Sequence, residues 1–137
     1  MRSLTLAAAV IACIAASAAV AHAQPAPTGP EATTRYFSTP LEKDPSRVVR
    51  MQMQTHAPGK PGNPFHTHDG DQWQVVLEGE ITFTVRGQPP RLLKTNEWVY
   101  IPRGTVHRNE NLSGKPVRTI ELVIADKDKP PVTRVPD

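Results

Sequence analysis

The chain has a single cysteine, Cys13, and it lies inside an apolar N-terminal stretch. Beyond it no thiol is left, so disulfides and thiol chemistry are excluded for the folded part even in an oxidising compartment. Runs of like charge are missing too. The formal net charge is +3, with basic and acidic residues interspersed, and no Lys/Arg run could track a phosphate backbone. Nucleic acid is therefore not an expected partner. Long helices are also lacking: 15 prolines and 8 glycines break the chain, and apolar residues alternate instead of recurring every three or four positions. No internal repeat is present. What remains is a small all-β domain whose stability must come from packing and from whatever it binds.

The apolar stretch itself reads as an export signal. Met1 and Arg2 give a positive start, Leu4 to Val20 is apolar, and Ala21-His22-Ala23 has the small-x-small form of a cleavage site. Cleavage after Ala23 is expected, with a periplasmic or secreted mature chain starting at Gln24 and no membrane insertion after processing. The alternatives are a membrane anchor, disfavoured by the alanine-rich run and the Pro and Gly that follow, and a lipoprotein box at Val10-Ile11-Ala12-Cys13. Removing Arg2 takes one charge from the net +3, leaving +2, and removing 23 of 137 residues leaves 114, enough for one hydrophobic core.

Residues 24–34 are rich in Pro, Ala and Thr and read as a flexible leader, and 127–137, with Pro130, Pro131 and Pro136, as an extended tail. Between them, at 35–126, lies the domain. From Arg47 to Thr55, Val49, Met51 and Met53 share one face and Arg50, Gln52 and Gln54 the other, which predicts a strand with the methionines in the core. Ile81, Phe83 and Val85 alternate likewise with Thr82, Thr84 and Arg86. Glu78-Gly79 is a hairpin signal, 87–90 and 113–116 are further turns, and 98–101 and 117–125 supply more strands. Short strands with turns every 8–12 residues argue for a sandwich or barrel.

Four histidines follow the leader: 56, 66, 68 and 107. Residues two apart on a strand point the same way, so His66 and His68 can converge on one ion. His107, some forty residues on, would come from a neighbouring strand as the third ligand. Imidazole accepts Mn, Fe, Ni, Zn, Co or Cu, so one divalent transition metal is expected without its identity. His56 has no partner in this pattern and reads as a wall or surface residue.

The stretch HTHDGDQWQVVLEG, from His66 to Gly79, resembles the first cupin motif, and PRGTVHRNEN, from Pro102 to Asn111, resembles the second. Both spacings are met, and the likeness covers residues 36–126. The resemblance implies a double-stranded β-helix (jelly-roll) barrel, a metal site at His66, His68 and His107, and a homodimer. It also places Gln72 where cupins usually carry a glutamate ligand, Asn96 where the second motif opens with glycine, and Lys60 at the position of an earlier glycine. Asn tolerates the left-handed conformation, so the fold is not disturbed at Asn96. As a fourth ligand or a hydrogen-bond partner of metal-bound water, Gln72 adds no charge, so the ion keeps its full +2 and favours an anionic ligand. Cupins with three His and one Gln resemble Lewis-acid or lyase enzymes.

By strand parity Gln74 shares the face of Gln72, and Asn109 and Asn111 that of His107, so these three are possible pocket lining. Phe83 is another candidate for the pocket wall, although Phe83, Trp73 and Trp98 read first as core or interface. Asn111-Leu112-Ser113 matches a glycosylation acceptor, which an inward asparagine makes coincidental. Asp69 and Asp71 sit in a turn, and no general base is identifiable. The expected function is Lewis-acid chemistry (lyase, isomerase or decarboxylase type) or oxygenase chemistry on a small anionic or oxygen-rich molecule. The alternatives are a non-catalytic periplasmic binding or sensing module, or an idle structural barrel. Amino-terminal sequencing of exported protein should read from Gln24; a lipid-modified Cys13 would overturn the assignment.

Overall fold

The computed structural model describes residues 33–59 and 62–136, with side chains from Ser38 onward. The expected export signal, the leader up to residue 32, Lys60 and Asp137 lie outside the described residues. Ten strands run in order: β1 (Thr33–Leu41), β2 (Asp44–His56), β3 (His66–Thr67), β4 (Gly70–Glu78), β5 (Glu80–Val85), β6 (Arg91–Lys94), β7 (Trp98–Ile101), β8 (His107–Glu110), β9 (Val117–Asp126) and β10 (Thr133–Arg134). They form two antiparallel five-stranded sheets, β1-β2-β9-β4-β7 and β10-β3-β8-β5-β6. This is the all-β jelly roll that the alternation and the motifs imply.

Turn chemistry follows the sequence with one correction. The 87–90 turn does close a hairpin, since β5 pairs with β6. Gly79, at φ 85, also turns the chain sharply, but β4 and β5 lie in different sheets, so it carries the chain across the barrel and closes no hairpin. A left-handed residue turns the chain in either case; which strands pair afterwards is set by where their apolar faces are buried. Asn96 has φ 68, the left-handed conformation expected of a glycine substitute.

The hydrophobic core is Val76, Ile81, Phe83, Leu93, Ile101 and Val117, drawn from both sheets. In the first sheet β4 faces as expected, with Gln72 and Gln74 inward, but β2 is turned the other way. The inner face of this sheet carries Gln72, Gln74, Thr119 and Glu121, all at most 3% exposed. Gln52, Glu121 and Gln74 stand opposite one another in a row across β2, β9 and β4. Met51 and Met53, read as core, therefore lie on the outer face and are only half-buried. Ile120, Leu122, Trp73 and Val75 share that outer face, and the Trp73 ring lies 5.2 Å from that of Tyr100. Trp98 is 60% exposed. Phe83 is core, whereas half-buried Trp73 and exposed Trp98 lie on the outer face of the first sheet.

The C-terminal segment is extended but not free. β10 pairs with β3, the amide of Val135 donates to the carbonyl of Phe65 at 2.9 Å, and Arg86 donates to the carbonyl of Pro136 at 2.7 Å. The guanidinium groups of Arg86 and Arg108 each lie 4.7 Å from the Phe65 ring centre, fixing the residue just before His66. Strand pairing at the other end starts at Thr33, two residues inside the segment read as leader.

Gly70 is what lets β4 seat against β9. A Cβ there would stand 2.3 Å from the carbonyl oxygen of Ile124 and 2.6 Å from the Cα of Ala125, both backbone atoms of a paired strand. Gly70→Ala should cost about 1–3 kcal/mol in denaturant unfolding through overpacking. Gly114→Ala, which meets open space at ordinary φ, should stay within about 0.5 kcal/mol. Equal effects would contradict this docking.

Candidate metal centre

His66 ends up beside His107 because β3 pairs with β8 and the two histidines are register partners. His68 follows one residue beyond β3, and the amide of Gly104, from the second motif, donates to its carbonyl at 3.1 Å. Ring centres are 5.1 Å apart for His66 and His68, 4.5 Å for His66 and His107, and 5.4 Å for His68 and His107. One ligand nitrogen from each lies within 4.8 Å of the other two, and all three residues are buried.

Each ring is held from behind. Nδ1 of His66 meets the carbonyl of Pro64 at 2.9 Å, Nδ1 of His68 that of Pro131 at 2.7 Å, and Nδ1 of His107 that of Thr105 at 2.9 Å. A carbonyl can only accept, so Nδ1 carries the proton in all three and the lone pair is on Nε2. Burial pushes His68 and His107 down to about 4, against the opposing pull of those carbonyls, and it lowers His66 in the same direction. At neutral pH the rings are uncharged ligands.

The inward atoms lack partners. Nε2 of His68, Nε2 of His107 and both amide atoms of Gln72 are buried with no hydrogen bond. Stranding such groups costs about 1–3 kcal/mol each, which a divalent ion coordinated by the three imidazoles would relieve at the histidines. The donor set fits such an ion: three neutral Nε2 atoms in a triangle, each with its Nδ1–H bonded to a carbonyl.

The other candidates separate. Gln74 and Asn109 are buried and joined by a 3.0 Å hydrogen bond from Asn109 Nδ2, leaving Gln74 Nε2 and Asn109 Oδ1 unpartnered. Asn111 is buried but spent on structure: its Nδ2 donates to the carbonyls of His56 and Lys115, and its Oδ1 accepts from Ser113. Phe83 packs 5.6 Å from the His107 ring and lines a separate cavity with Val85, Val99 and Ile101. His56 is outside the cluster; its Nε2 meets Thr119 Oγ1 at 3.0 Å. Asp69 and Asp126 both engage Arg103, and Asp71 accepts from Tyr100 Oη at 2.9 Å, so the turn carboxylates belong to a surface network.

A cavity of about 180 Å³ opens beside His66 and His68, with Gln52, Gln54, Glu121, Val132 and Arg134 on its wall. Sequence reasoning missed Glu121 and Arg134. Glu121 sits inside an otherwise apolar run, and its inward position follows only from the β9 register. Arg134 lies in the segment read as tail and reaches the cavity because β10 pairs with β3.

The family model described as "Cupin domain" matches residues 52–124, more than half of the chain. The chain is a cupin. Among curated relatives, this cupin is 38% identical over 64 residues to the protein YdbB of Bacillus subtilis, covering 46% of this chain and 53% of that one. It is 31% identical over 74 residues to the dimethylsulfoniopropionate lyase DddQ of Ruegeria pomeroyi, covering 54% of this chain and 36% of the lyase. The match thus spans about half or less of each relative. The crystal structure of that lyase superposes with a TM-score of 0.61 at 22% identity, covering 77% of this cupin and 51% of the lyase. A double-stranded β-helix protein of Klebsiella pneumoniae gives 0.62 at 18%, covering 83% and 90%. At such identities the structures speak for the fold alone.

Substituting His66, His68 or His107 by Ala should each remove most bound metal, measured per chain after dialysis, because a three-imidazole site cannot spare a strong ligand. His56→Ala should retain it. Equal loss from His56→Ala and His107→Ala would overturn the ligand assignment.

Proposed function

We propose that this cupin is exported, binds one divalent transition metal ion, and acts as a Lewis acid on a small anionic or oxygen-rich molecule, in lyase-, isomerase- or decarboxylase-type chemistry. His66, His68 and His107 would hold the ion through Nε2, with Gln72 as the fourth donor or as partner of a metal-bound water. When bound, the ion polarises an oxygen of the ligand. The observation that carries the reading is Gln72: a fully buried amide with both polar atoms unpartnered, where the motif otherwise brings a carboxylate. With a neutral amide the ion's +2 charge stays undamped and favours an anion over neutral ligands.

The chain's own residues add to this. Arg134, at the cavity mouth and without an ion pair among the described residues, suits a carboxylate on the ligand. The cavity of about 180 Å³ suits a small molecule. The likeness to a lyase of a small carboxylate favours elimination over O₂ activation. A homodimer joined through the outer face of the first sheet is part of the proposal; Trp73, Tyr100 and exposed Trp98 supply apolar area there.

Gln72→Glu tests the reading. A unit charge about 4 Å from another at an effective dielectric near 20 is worth on the order of 4 kcal/mol before desolvation. Metal should bind more tightly in the variant and oxalate, a small dianion, more weakly, by well over threefold each. Affinities unchanged within threefold would remove Gln72 from the ion's surroundings. Oxygen consumption during turnover would select the oxygenase instead, and ligand binding without turnover the sensing module.

A further inference from the structure

We propose that Glu121 is the group that takes and returns the substrate proton in the cavity beside His66 and His68. This rests on the Lewis-acid reading above and supplies the base that the motif lacks. Glu121 is 3% exposed and lines the same cavity as His66, His68 and Arg134. Glutamate is seldom buried without a cation to pair with, and no Lys or Arg meets this carboxyl among the described residues. Its one hydrogen bond among the described residues comes from Gln52 Nε2 to Oε2 at 2.8 Å, so Oε1 is not taken by the protein. The hydrogen bond that holds β2 against β9 does not require the charge, since an amide oxygen accepts the same bond.

Position separates Glu121 from the ligands. Its carboxyl is not part of the cluster whose ligand atoms lie within 4.8 Å of one another. It stands one strand in from Gln52 and opposite Gln74, both uncharged. The charged or titratable groups sharing its cavity are His66 and His68 from the β3 segment and Arg134 from β10; Gln52 and Gln54 on β2 and Asn63 before β3 are neutral. Burial raises its pKa, and the Gln52 hydrogen bond opposes that rise. The direction brings a carboxyl closer to neutral pH, where proton transfer in both directions is fastest.

For an elimination the balance is simple. The Glu121 carboxylate takes the proton from the carbon next to the substrate's carboxylate, and the C–H electron pair becomes the new C=C bond. The bond to the leaving group on the adjacent carbon breaks, and its electron pair departs with that group. Glu121 then passes the proton to solvent. In an isomerisation the proton returns to a different carbon instead.

Oxalate, a planar dianion like the enolate of a carboxylate, probes this without a known substrate. The protein is loaded with Zn(II), and calorimetry is run in two buffers of different ionisation heat to count protons exchanged on binding. A base facing the bound dianion should take up a proton, approaching one per site as the pH is raised above its pKa in the free site. Glu121→Gln should bind oxalate with full metal content and take up none, and Glu121→Asp should keep part of the uptake. Infrared difference spectra of the wild-type protein should show a carboxylate band replaced by a protonated carboxyl band. Binding with no proton uptake, or with equal uptake in Glu121→Gln, would overturn the assignment and leave the Lewis-acid reading standing. Failure of oxalate to bind the Zn(II) protein would remove both. Equal binding with and without metal would remove the Lewis-acid reading, and with it the proposal that rests on it, even with the uptake intact.

Discussion

The three bonds from histidine Nδ1 to backbone carbonyls are the constraint around which the rest of the barrel is organised. The carbonyls belong to Pro64, Thr105 and Pro131, so three distant segments must arrive before three lone pairs point at one place. The pairing of β3 with β8 brings the first two together. The return of the C-terminal segment along β3 brings the third, and with it the proline-rich stretch becomes part of the site wall. Two of the three acceptors are proline carbonyls, which accept a bond while the residue donates none of its own.

Around this frame the barrel divides its interior. Val76, Ile81, Phe83, Leu93, Ile101 and Val117 supply the hydrophobic stabilisation. The interior spends some of it on Gln72, Gln74 and Glu121 of the first sheet and Asn109 of the second, several of whose polar atoms find no partner. Buried polar atoms are tolerated where water, an ion or a ligand completes them. The ion pairs of Arg103 with Asp69 and Asp126 are at the surface, where such pairs contribute little energy. Their use is to tie the turn after His68 to the end of β9.

The motifs and the physics of the site determine different things about this barrel. The motifs identify the barrel and bring the histidines into register. They say nothing of Glu121 or Arg134, because neither stands at a motif position and cupin pockets are lined by scattered wall residues. Fold alone does not assign chemistry; the neutral amide of Gln72 and the buried carboxyl of Glu121, hydrogen-bonded by Gln52 but without a cation among the described residues, are what bear on it here.

Much was legible in the residues. Alternation located the strand at 81–85, the segments at 98–101 and 117–125 were legible as strands, glycine and asparagine marked the turns, and the spacing of His66, His68 and His107 announced one cluster. Tertiary structure alone decided three things. A period of two says which residues share a face but not which face is inside, so Met51 and Met53 were expected in the core, where Gln52 and Gln54 in fact line the cavity. A positive φ at Gly79 turns the chain equally well within a sheet or between sheets, and only burial of the flanking strands chose between them. The partners of the last residues lie 63 to 70 positions away, at His68 and Phe65, and no local pattern in a proline-rich segment encodes a contact at that distance.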